Sequence, residues 1–281
     1  TLLPDGPPRG AVVLLHGLTD CPYSLRHVAE AARAAGHAAI AMRMPGHGTT
    51  PAGLVRAGRQ QWVAATALAM REAARLADGG PVTLIGYSNG AALALLHALR
   101  ALAEPRLVQP ARLILLSPMI GIGRHARFAG IAAWPAVVPA FEHAAWLELK
   151  PETNPCKYGS FAVKAAVESQ RVTIDLQRLL DRATQAGRLG ELPPILAFES
   201  AVDATVSSRA VVRDLFTRLP ARDELVLFDV NRDVLPQSRA LQKLLTPMEP
   251  RRTLVTSEDG EAVALSGEGL ALADGTCAPL G

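Results

Sequence analysis

Five residues, Gly86-Tyr87-Ser88-Asn89-Gly90, limit what this chain can fold into more than any other feature. The apolar run Pro81-Val82-Thr83-Leu84-Ile85 precedes them, and an Ala/Leu-rich helical pattern from Ala91 to Ala103 follows. A serine with glycine two positions before and two after, at a strand-to-helix joint, predicts a sharp turn that holds the serine in strained φ/ψ space. Glycine at the flanking positions relieves the crowding between strand and helix. Ser88 Oγ then stands clear of the sheet, at the positive end of the next helix, where a nucleophile is useful. Gly, Ser and Ala are common here, so the competing reading is a chance loop. The strand–turn–helix context argues against it.

A second apolar run, Ala11-Val12-Val13-Leu14-Leu15, ends in His16-Gly17-Leu18-Thr19-Asp20. A third segment, Arg43-Met44-Pro45-Gly46-His47-Gly48, follows another predicted strand. With the serine turn, these motifs resemble the α/β-hydrolase superfamily. Within it they are similar to the lysophospholipase, monoacylglycerol lipase and carboxylesterase branch, often labelled serine aminopeptidase-like. The resemblance runs over roughly residues 10 to 230. It implies an oxyanion hole made by the Leu18 and Asn89 backbone N–H groups. On the same basis His16 shapes its loop and transfers no proton, and the segment around His47 is structural. Asp20 reads as a helix N-cap.

Composition agrees with a buried parallel sheet. At 281 residues and 49% hydrophobic content, the chain can bury one large core. The net charge is +3, and only four of its 29 basic residues are lysine. No basic run is interleaved with aromatics, which argues against a nucleic-acid partner. No stretch of about 18 apolar residues is present to span a membrane. Cys21, Cys156 and Cys277 are widely spaced and odd in number, which argues against a disulfide framework and a zinc site. No metal or other cofactor is expected. The start at Thr1, without methionine and close to the first core strand, suggests a fragment that has lost an upstream segment, with room there for a signal peptide or anchor.

Strands and helices alternate: strand 11–15, helix 22–35, strand 37–43, helix 60–77, strand 81–85, helix 89–103 and strand 113–116. The fold class expected is α/β, a doubly wound, mostly parallel sheet with a helical cap insertion and a short-stranded C-terminal excursion. Residues 1–118 and 191–250 form the core and 119–190 the cap, with 251–281 as the excursion, itself expected to be truncated. Prolines 135, 139, 151 and 155 are expected to break the cap into short helices. Five of its residues are Phe128, Trp134, Phe141, Trp146 and Phe161. The resemblance makes this insertion the place for a substrate pocket, lined by Trp134, Phe141, Trp146 and Phe161. The alternative is that these rings are only the insertion's own core.

Alternation resumes with Pro194-Ile195-Leu196-Ala197-Phe198, then Glu199-Ser200-Ala201-Val202-Asp203. Asp203 lies where the family keeps the acid that orients a catalytic imidazole. The competing reading is an N-cap for a helix over 206–218. Glu199, nearer the strand, is a weaker candidate. The family's base should follow the next strand, Glu224 to Asp229, but no histidine occurs after His143. Three explanations compete. The favoured one places the histidine beyond Gly281 in a longer chain. The others are a non-catalytic, ligand-binding relative and substitution by His125 or His143. Short strands are expected at 253–256, 261–265 and 270–273. The function expected is a serine hydrolase of carboxylic esters, acting on a monoacyl lipid or medium-chain ester through an acyl-enzyme on Ser88. Its alternatives are an aminopeptidase or amidase and a binding-only pseudo-hydrolase.

Overall fold

The computed structural model describes residues 1–121, 145–154, 156–200 and 208–228, and the strand segments 253–256, 262–266, 269–271 and 277–278. Its centre is a doubly wound sheet. Strand β1 (Ala11–Leu15) lies between β2 (Ala38–Met42) and β3 (Val82–Tyr87), all parallel. Next to β3 come β4 (Arg112–Leu116), β7 (Ile195–Ser200) and β8 (Glu224–Phe228), each parallel to its neighbour. Such central strands are covered on both faces, which is why β1 reads as an unbroken apolar run. On one face Val12, Leu14, Ala39 and Ile85 meet Leu25 and Ala29, at the start of and within helix α1 (Arg26–Ala34). On the other, Val13, Leu15, Ile40 and Leu84 belong to the main core.

That second face carries α2 (Arg59–Ala77) and α3 (Asn89–Ala103). Every residue of α3 from Asn89 to Leu99 is buried. A helix apolar on all sides needs cover all round. The cover includes α4 (Val163–Gln185), whose Val172, Leu176 and Leu180 are fully buried in the same core. Burying three such side chains contributes roughly 1.5–3 kcal/mol each. Proline was expected to leave only short helices between 119 and 190, but the prolines all fall before residue 163, and α4 runs uninterrupted for 23 residues. It follows a small antiparallel pair, β5 (Trp146–Glu148) and β6 (Phe161–Ala162).

Two other helices differ from expectation. Residues Pro22–Leu25 form a 3-10 turn before α1 instead of its first turn, with Cys21, not Asp20, at the cap position. The helix expected over 206–218 is described as Ser208–Ala210 followed by a π-helical segment, Val211–Phe216. The C-terminal strands extend the same sheet. β9 (Thr253–Thr256) runs parallel to β8, and β10 (Ala262–Ser266), β11 (Gly269–Ala271) and β12 (Cys277–Ala278) then add antiparallel.

Candidate active site

Parallel pairing puts the carboxyl ends of β1, β3, β4 and β7 on one edge of the sheet, so the segments that leave these strands start side by side. Ser88 leaves β3 there, with φ 54° and ψ −115°. A left-handed φ on a non-glycine residue costs of order 1–3 kcal/mol and persists only where the surroundings enforce it. Here the Ser88 N–H donates to Leu116 O at 2.8 Å, and the Ser88 carbonyl accepts from Ala91 N–H at 3.0 Å. The flanking glycines make the turn possible. A Cβ on Gly86 would lie 2.5 Å from Ala91 Cα, and one on Gly90 would lie 2.6 Å from the Leu15 carbonyl carbon.

Asn89 is the first residue of α3 and is buried. Its N–H therefore has no intrahelical acceptor. Its side chain is fixed from α4, because the Ser169 hydroxyl donates to Asn89 Oδ1 at 2.9 Å. Leu18, on the loop after β1, packs partly buried against the main core. The imidazole of His47 anchors its carbonyl, with Nε2 2.7 Å from Leu18 O.

None of the described histidines near this loop has a nitrogen to spare. His16 Nδ1 donates to Gly17 O at 2.8 Å, and Nε2 accepts from the Met44 N–H at 3.2 Å, which fixes one neutral tautomer. Burial pushes its pKa down to about 4, and the nearby His47 adds to the shift. Both His47 nitrogens face carbonyls, those of Leu18 and Pro45, and burial holds this ring below its ordinary value as well. His97 is buried in α3 with Nε2 on Val108 O at 2.9 Å. His125 and His143 lie outside the described residues. His16 is therefore a loop-shaping residue, in line with the sequence reading.

The neutral His16 ring has a consequence for stability. Its folded pKa is below the unfolded value of 6.5, so the unfolded chain binds the proton more readily. The stabilisation is complete above about pH 6.5 and is lost as the pH falls toward 4, an effect on the order of 3 kcal/mol. Urea unfolding of the natural chain and of His16→Gln at pH 7 and pH 4 tests this. The stability difference between the two proteins should shrink by about that amount at the lower pH.

The other expected site residues divide into two groups. Asp203 lies in 201–207, and Trp134 and Phe141 lie in 122–144, all outside the described residues. Trp146 and Phe161 are partly buried and pack against the main core. A groove of about 980 Å³ runs between α2, α3 and α4, lined among others by Arg59, Arg71, Leu96, Arg100 and Leu179. Ser88 and Leu18 are not part of that lining. Three partnerships of the neighbourhood are not marked in the sequence. Ser169 reaches Asn89 from 80 positions away. Tyr158 lies parallel to His47, and Trp62 Nε1 donates to Pro45 O at 3.0 Å.

Comparison with known proteins agrees with this architecture. The family model described as serine aminopeptidase, S33, matches residues 6–229. Among solved structures, one reported for LipS and LipT, two metagenome-derived lipolytic enzymes, is 21% identical, with a TM-score of 0.62 over 87% of this chain and 100% of that one. A soluble variant of monoglyceride lipase from Saccharomyces cerevisiae is 14% identical, with a TM-score of 0.60 over 87% of this chain and 89% of its own. Monoacylglycerol lipase from Paleococcus ferrophilus is 17% identical, with a TM-score of 0.59 over 86% and 96%. At these identities the likeness is one of fold. No curated protein matches the chain.

Proposed function

Because this chain belongs to the serine aminopeptidase S33 family of α/β-hydrolases, we propose that its chemistry is hydrolysis of carboxylic esters through an acyl-enzyme on Ser88. The observation that carries the proposal is the backbone of Ser88 itself, held at φ 54° where β3 turns into α3. In this reading Ser88 Oγ attacks the acyl carbonyl carbon, and the Leu18 and Asn89 N–H groups take the negative charge that develops on its oxygen. Two features support those donors. His47 ties back the Leu18 carbonyl, and Asn89 opens a helix whose first N–H groups have no internal acceptor. A histidine accepts the Ser88 proton and returns it to the leaving alcohol, with Asp203 orienting its ring, and water then releases the acyl group.

In this reading the 281 residues carry the serine, the acid and the amides, and none of the described histidines beside the Ser88 edge is the base. Support comes from the sequence, which has no histidine after His143, and from the engaged nitrogens of His16 and His47 and the engaged Nε2 of His97. The substrate is a small lipid-like ester, either a monoacyl lipid or a medium-chain ester. The neighbours named as monoglyceride and monoacylglycerol lipases favour it over a peptide. Among the described residues no helix is long and apolar enough to cross a membrane.

Substrate class is testable with added imidazole standing in for the base. p-Nitrophenyl esters of butyrate to laurate should be turned over, while amino-acid p-nitroanilides should not. The reverse preference would assign the chain to amide hydrolysis.

A further inference from the structure

The sequence gives no reason to pair its cysteines, but the fold brings two of them together. Residues 19–21 follow the β1 loop, and residues 156–158 run antiparallel beside them. Asp20 bridges to Lys157, and the Tyr158 N–H donates to Thr19 O at 2.8 Å. One step along this register Cys21 stands opposite Cys156. Residues opposite one another in an antiparallel pair have Cα atoms about 4.5–5.5 Å apart, within the span of a disulfide. Both thiols are free and half-buried, and the neighbouring Cys156 side chain adds to the rise in the Cys21 pKa.

The arm that carries Cys156 is built to hold its shape. The Glu152 carboxylate accepts the N–H groups of Gly159 and Ser160 at 2.7 and 2.8 Å, and Asn154 Oδ1 accepts the Cys156 N–H at 2.8 Å. Tyr158 carries the arm to the loop after β2, where its hydroxyl accepts the Thr49 N–H at 3.0 Å and its ring lies parallel to His47. The arm thus touches both loops that shape the edge near Ser88, the one with Leu18 and the one with His47.

We propose that Cys21 and Cys156 form a reversible disulfide that staples the 150–160 arm to the loop carrying Leu18. The oxidant is a small-molecule disulfide of the glutathione class, RSSR. The Cys156 thiolate attacks one sulfur of RSSR and expels one thiolate, RS⁻, which leaves a mixed disulfide on Cys156. The Cys21 thiolate then attacks Cys156 Sγ and expels the second RS⁻. Two protein thiols are oxidised, RSSR is reduced to two RSH, and the two thiol protons end on the expelled thiolates. Burial raises the Cys21 thiol above its usual range, which lowers its thiolate fraction and slows its attack.

The proposal does not depend on the esterase reading. It is tested on the purified 281-residue protein equilibrated with oxidised glutathione, followed by thiol counting and non-reducing peptide mapping. Free thiols should fall from three to one, and the tryptic peptide ending at Arg26 should appear joined to the one ending at Lys157. Cys21→Ser and Cys156→Ser should each abolish that species, and Cys277→Ser should leave it intact. Exchange of the Tyr158 amide with deuterated solvent should slow by about tenfold or more in the oxidised protein, as a covalent closure of the pairing requires. A crosslink that includes Cys277, a disulfide between two molecules, or three thiols persisting in oxidant would overturn the assignment.

Discussion

Replacing Ser88 by alanine should remove at least about 10³-fold of the ester turnover measured with imidazole present, the scale of loss when a catalytic nucleophile is deleted. The comparison has to be made with the added base. A serine hydroxyl is almost fully protonated at neutral pH and is a weak nucleophile unless a neighbour takes its proton. Beside the Ser88 edge, His16 and His47 spend both nitrogens on backbone groups, and on α3 His97 Nε2 is engaged by Val108 O. Without imidazole, the natural chain and Ser88→Ala should therefore be slow alike. With imidazole, only the natural chain should accelerate above the rate of imidazole acting directly on the ester. The Ser88→Ala variant should unfold at a similar or slightly higher urea concentration, because its left-handed backbone is enforced by Leu116 O and Ala91 N–H and not by the hydroxyl.

The second large effect belongs to Gly90. A Cβ there would meet the carbonyl carbon of Leu15 at 2.6 Å and His16 O at 2.7 Å, both backbone atoms at the end of the central strand β1. No rotamer change relieves such a contact, so either α3 or β1 must move. Neither moves cheaply. β1 is hydrogen-bonded on both sides, and α3 is buried from Asn89 to Leu99. Gly90→Ala should cost about 3 kcal/mol or more, in the range that overpacking against fixed atoms reaches. Gly190→Ala is the control, since a Cβ there meets nothing within 4 Å. It should change stability by no more than about 0.5 kcal/mol. Urea unfolding of the two variants side by side checks the difference.

The parts of the fold that were legible in the sequence are those where one local signal sufficed. Strand β1 is an unbroken apolar run and β3 leads directly into a glycine-flanked serine, and both stand within a residue or two of where the pattern puts them. The α/β class followed from the alternation of such runs with helical periods. Helix α4 was harder to read. Val172, Leu176 and Leu180 do recur every four residues, but charged and amide side chains between them lower the contrast. The proline-rich stretch ahead of it favours short helices on local grounds alone.

Side-chain partnerships were less legible than elements. The hydrogen bond from Ser169 to Asn89, the hold of His47 on Leu18 and the meeting of Cys21 with Cys156 all join positions far apart in the chain. Their only local trace is an ordinary polar residue. Their pairing is set by which loops and helices the parallel sheet brings together. For His16 the sequence sufficed, because a histidine beside glycine at a strand end has backbone groups within reach.

The reading proposed for Ser88 has two halves, a nucleophilic serine and a base that is none of the described histidines beside it. Covalent labelling by a fluorophosphonate probe, followed by intact mass and peptide mapping, tests both halves at once. One phosphonyl group per chain is expected on Ser88 when imidazole is present, forming roughly 10³-fold more slowly when it is absent. Absence of label on Ser88 in the presence of imidazole would contradict the nucleophile. Rapid stoichiometric labelling without imidazole would contradict the missing base and direct attention to His125 and His143.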